Sequence, residues 1–166
     1  EMLESNVEKG DIVILTNVIE QYHPDRILIE PSGVGKLSDV IGAVKKVMNE
    51  EVTLGYTVAV VDAGKVKVYM KNFGEFYNNQ VETASTIVLS RTDSIPQAKL
   101  DAAVAMLREH NDKAVIVTTP WSALTGEQLT AAMEGQFMIA ASQSGLSVSK
   151  GVLASGSRFQ KRNVQD

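Results

Sequence analysis

Four short apolar runs, each closing on a polar residue and most of them followed by a stretch with helical spacing, constrain this chain more than any other feature. They fall at residues 26–30, 54–62, 86–90 and 114–118. Runs this short and this apolar are what strands buried on both faces of a parallel sheet look like. Residues 37–48 place Leu37, Val40, Ile41, Val44 and Val47 on one helical face, and residues of about 65–82 read as a further helix. The stretch 96–110 reads as another, opening on Pro96, a favoured first-turn residue. Upstream, Leu3, Val7, Ile14 and Val18 have helix-like spacing, with a break at Gly10-Asp11 and a stop at His23-Pro24. Thr125 and Gln128 match a capping box that opens a short helix through Met133. Strands alternating with helices imply βαβ units, so the expected fold class is α/β, three layers around a mostly parallel sheet.

A chain of 166 residues fits one domain with a real core. The net charge of −4 gives no electrostatic footprint for nucleic acid or an anionic membrane, so neither is expected as a partner. There is no cysteine, which excludes disulfides and thiolate metal sites from this stretch. His23 and His110, the two histidines, stand far apart, and no zinc site is expected from them. No apolar run reaches transmembrane length and no signal peptide is visible, so a cytoplasmic location is expected. The first residue is Glu1, and a piece of a longer protein is expected. Beyond residue 135 the periodic pattern fades into Ser and Gly, with Arg158, Lys161 and Arg162 near the end. Residues 1–135 are therefore expected to form the domain, and 136–166 a linker or tail leading to a further domain.

Ligands of open parallel sheets bind outside the C-terminal ends of the strands. Glu30 ends the first run, with Gly33 three residues on. A carboxylate there can hold Mg²⁺ through a water, and a glycine amide can approach a terminal phosphate. By itself the pattern is better read as a solvated acid before a Pro-Ser-Gly turn. Ser90-Arg91-Thr92-Asp93 follows the third run. Asp93 can accept the two donors of guanine's edge, and Arg91 can lay its guanidinium over the base. By itself this stretch is better read as an Asp-Ser turn beside an exposed cation. Asp62 is expected to cap the following helix. Ser122-Ala123-Leu124 lies where a loop could reach the base with backbone groups, while Pro120 and Trp121 are expected to pack locally.

The order of these signals is that of a GTPase. Glu30-Pro-Ser-Gly33 resembles the Glu-Thr-Ser-Gly motif of CobW-like GTPases, and Val60-Val-Asp-Ala63 is similar to the family's Val-Val-Asp-Ala strand end. Gln80-Val-Glu-Thr-Ala84, followed by residues 86–93, resembles its Gln-Ile-x-x-Ala-Asp lead into Asn-Lys-x-Asp. The resemblance covers about residues 10–130 and implies the downstream part of a P-loop NTPase-like domain. It implies that Glu30 positions Mg²⁺, that Gly33 senses the terminal phosphate, and that Arg91 and Asp93, with Ser90, Ser122 and Ala123, hold guanine. The implied activity is GTP hydrolysis by a metallochaperone or metallocofactor-assembly protein, as in cobalamin synthesis, with a metalloprotein or cofactor-pathway client.

The chain departs from the family pattern in several places. Ser90 stands for Asn, Arg91 for Lys and Pro31 for Thr, and Val34-Gly-Lys-Leu37 replaces Leu-Ala-Asp-Pro. No Gly-x-x-x-x-Gly-Lys-Ser/Thr and no Cys-x-Cys-Cys occurs in the sequence. In relatives both lie upstream, so truncation is expected, with zinc or cobalt bound through cysteines absent from this chain. The rival reading is an α/β binding or scaffolding module that lost nucleotide chemistry. A GTPase of the urease- or hydrogenase-maturation type is a further one.

Overall fold

The computed structural model describes residues 9–31, 35–134 and 148–149. Six helices are described: α1 (Lys9–Tyr22), α2 (Leu37–Val47), α3 (Val66–Asn72), α4 (Gly74–Thr83), α5 (Gln97–His110) and α6 (Gly126–Met133). They surround a sheet of β1 (Val58–Asp62), β2 (Thr86–Ser90), β3 (Val115–Val117) and β4 (Val148–Ser149), in that spatial order. The first three strands are parallel, as alternation with helices demands. β4, which falls inside the expected linker, pairs antiparallel with β3 through Val117↔Val148.

The period of two in the strands sorts side chains to two faces. Ala59, Val61, Ile87, Leu89 and Ile116 face one way and pack with Val81 of α4 and Leu100, Ala103 and Leu107 of α5. Val88 and Val117 face the other way and are covered by Ala132, Leu124 and Leu129 on and before α6. That second cluster reaches Val58 of β1 but leaves Val60 63% exposed, although its neighbour Val88 is 2% exposed.

Several expectations are met and others corrected. Thr125 and Gln128 make the reciprocal capping box that opens α6. The expected break at Gly10-Asp11 is absent, and α1 runs through it. The single helix expected over about 65–82 is two, because Phe73 closes α3 with an N–H bond to the Tyr69 carbonyl and Gly74 begins α4. Tyr69 stands edge-on to both Phe73 and Tyr77 and fills the resulting angle.

The larger correction concerns residues 26–30, expected as a strand. They form no strand, and Ile27, Leu28 and Ile29 are all exposed, Leu28 at 83%. A strand needs a neighbour for its N–H and C=O groups, and an apolar one needs cover on its faces. Among the described residues this run has neither. Arg26 is instead paired with Glu134 at the end of α6.

Asn111, just past α5, ties the core together. Its Nδ2 donates to the carbonyls of Val81 and Ala84 at 2.8 and 2.9 Å, and its Oδ1 accepts from the Ala114 N–H at 2.8 Å. One buried amide thereby satisfies carbonyls left over at the end of α4 and starts the path into β3. α2 is held in the same manner: Gln80 donates to the Gly35 carbonyl, and Asn79 exchanges hydrogen bonds with Ser38. Among the described residues no helix is long and apolar enough to cross a membrane.

Candidate functional site

The register Asp62↔Ser90 puts the ends of β1 and β2 side by side. The strands are stitched past that point, since the Ala63 N–H donates to the Ser90 carbonyl and the Ser90 hydroxyl to the Val61 carbonyl. The chain then turns sharply. Arg91 has φ 59° and ψ 29°, the left-handed region that a non-glycine side chain seldom adopts. Thr92–Ser94 form a single 3-10 turn, in which Asp93 is exposed and accepts from the Ser94 hydroxyl at 3.2 Å. The Thr92 hydroxyl is buried and has no hydrogen-bond partner among the described residues.

β3 leads to a second 3-10 turn at the same edge, Trp121–Ala123, whose Ser122 and Ala123 are exposed. The indole of Trp121 does not pack locally as expected. Its Nε1–H donates to the Leu89 carbonyl at 2.9 Å, tethering this turn to the end of β2. The tether brings Ser90, Arg91 and Asp93 to one edge with Ser122 and Ala123. Nothing in the spacing of the sequence indicates it, since it joins the turn after β3 to a residue of β2.

Asp62 also departs from expectation. It does not cap α3, whose N-cap is Lys65. Its Oδ1 accepts from the Gly64 N–H at 2.9 Å in a local turn, and its Oδ2 lies 3.5 Å from the Arg91 Nε. Tyr77 stands near it. Burial first, and the Asp62 carboxylate second, push the Tyr77 phenol up to about 12. An unfolded phenol titrates near 10.0, so the protonated phenol stabilises the fold fully below that pH. That contribution disappears as pH rises through the folded value. Its hydroxyl has no partner among the described residues, so Tyr77→Phe leaves no broken bond. The variant is expected to match the wild type in urea denaturation at pH 8 and to lose less stability between pH 10 and 12.

Glu30 is exposed and does not sit at the end of a sheet strand, and Gly33 lies outside the described residues. Among the described residues no group of three or more His, Cys, Asp or Glu is placed to hold a metal ion. The side chains at the β1–β2 edge are of mixed charge. They offer one exposed carboxylate with a guanidinium two residues before it on the same turn.

A sequence profile of the CobW/HypB/UreG nucleotide-binding domain matches residues 6–118, more than half of the chain. The chain belongs to the CobW/HypB/UreG family. The matched stretch of this CobW-type chain includes Glu30, Asp62 and Ser90 through Asp93, and it ends before Ser122 and Ala123. No curated protein and no solved structure matches the chain at a significant level. Membership makes the domain a nucleotide-binding one with a P-loop type of fold, consistent with the parallel β1–β2–β3 core.

Proposed function

We propose that this chain supplies the base-binding half of a GTPase that drives delivery of a metal ion, or assembly of a metallocofactor such as cobalamin, in the cytoplasm. The observation that carries the reading is the exposed Asp93 on the turn after β2, with Arg91 on the same turn and the Trp121–Ala123 turn tethered beside them. A carboxylate at that place can accept both N1–H and the exocyclic amine of guanine, a pair of donors adenine lacks. Ser122 and Ala123 would close the base site with backbone groups, and Ser90 would hold the loop to β1.

In this reading Glu30 helps to place Mg²⁺ and Gly33 lies against the terminal phosphate. Mg²⁺ usually takes one or two carboxylates together with substrate phosphates, so a single acid suits it. The sequence lacks the Gly-x-x-x-x-Gly-Lys-Ser/Thr cradle, so the phosphate-binding amides and lysine would come from outside these residues. The transported metal, zinc or cobalt, is cargo, and its ligands would also lie elsewhere because the chain has no cysteine. The client would be a metalloprotein or an enzyme of the cofactor pathway.

The cradle normally supplies most phosphate contacts. These 166 residues alone are therefore expected to bind GTP·Mg²⁺ no more tightly than about 100 μM, worth roughly 5.5 kcal/mol. Isothermal titration checks this, and sub-micromolar binding would overturn the division of labour. A scaffolding role is the second reading, favoured by the Ser90 hydroxyl being engaged with the Val61 carbonyl where relatives carry an Asn. It gains if the protein supplied with a phosphate-binding loop shows no preference for GTP over ATP.

A further inference from the structure

The Ser90 hydroxyl is taken up by the Val61 carbonyl, and Arg91, the next residue, is held at φ 59°. Such a conformation persists only where the surroundings over-determine it. The surroundings here come from the neighbouring strand. We propose that Asp62 is the positioning residue of this loop, holding Arg91 so that Arg91 and Asp93 present themselves together to a purine base. The proposal rests on the base-binding reading above.

Three observations support it. The Asp62 side chain is 16% exposed against 71% for Arg91, so the anchored partner is the acid and the guanidinium stands at the surface. The Gly64 N–H fixes one carboxylate oxygen and leaves Oδ2 for the Arg91 Nε. Gly64 itself has little room for a side chain, because an added Cβ would lie 3.3 Å from Oδ1 and 3.6 Å from Ile95. The backbone turn after β1 therefore holds the carboxylate through the Gly64 N–H. Pairing through Nε also uses one edge of the guanidinium and leaves its planar face free to stack.

Asp62→Asn separates this role from a structural one. The amide keeps an oxygen for the Gly64 N–H and removes only the charge that faces Arg91. The test titrates the isotope-labelled 166-residue chain with GMP and with AMP at millimolar concentrations, following the Thr92 and Asp93 amides by NMR. Asp62→Asn is expected to weaken both nucleotides about five-fold, the scale of an exposed ion pair. Arg91→Ala should do the same, and the double variant should bind no more weakly than either single one. Unchanged affinity in Asp62→Asn, or losses that multiply in the double variant, overturn the proposal. Equal binding of GMP and AMP by the wild type removes the guanine assignment of Asp93 and leaves the coupling between Asp62 and Arg91 to decide this one. If neither nucleotide binds, which the missing phosphate cradle allows, the HN–Hα coupling of Arg91 decides. A change in that coupling on Asp62→Asn supports the brace, and its persistence overturns it.

Discussion

Asp93→Asn is expected to lower GTP affinity about ten- to a hundred-fold in the protein supplied with a phosphate-binding loop, and to move preference toward XTP. The magnitude follows from leaving guanine's paired donors without an ionised acceptor, roughly 1–3 kcal/mol. The direction follows from the amide, which offers a donor to the 2-keto group of xanthine in place of a second acceptor. Asp93 is exposed on a turn whose backbone is held by the bond from Ser94 N–H to the Arg91 carbonyl, so the swap does not disturb the fold. Arg91→Ala should weaken GTP, ATP and XTP alike, because stacking does not read the base edge. Competition of the three nucleotides against a fluorescent guanine nucleotide measures both variants. A wild type with no preference for GTP over ATP would remove the guanine role of Asp93.

The second large effect is on stability. Asn111→Leu keeps the branch at Cγ, adds bulk at a buried position, and cannot make any of the side-chain bonds that now reach Val81, Ala84 and Ala114. It leaves the carbonyls of Val81 and Ala84 and the N–H of Ala114 buried beside an apolar group. Each orphaned group costs about 1–3 kcal/mol, so a loss of about 3 kcal/mol or more is expected. Such a loss is a large part of the stability of a domain this size. Urea denaturation at neutral pH measures it. A loss below about 1 kcal/mol would mean that the amide is replaceable at this junction.

Neither the Asn111 clamp nor the Asp62–Arg91 pair could be read from the chain. Asn111 appears in the sequence as an ordinary polar residue after a helix, and the carbonyls it donates to lie about thirty positions upstream. Asp62 and Arg91 meet because β1 and β2 pair in one register, a shift of which by one residue would turn these side chains to the other face. The candidate base site was more legible. Asp93 and Arg91 lie in one short motif after an apolar run, and the turn that holds them is local.

The sequence by itself determined the fold class, three of the four expected strands and the helical character of the stretches between them, because periodicity and apolar runs report which surfaces must leave water. It also determined the capping box of α6, whose partners are three residues apart. Only the tertiary structure decided that residues 26–30 do not join the sheet. An apolar run states a need for burial, and strand formation also requires a neighbour to take its backbone hydrogen bonds. The tertiary structure alone likewise placed Trp121 against Leu89 and Asp62 beside Arg91. Contacts between strand ends depend on register and on the path of the crossover helices, and no local pattern along one strand encodes either.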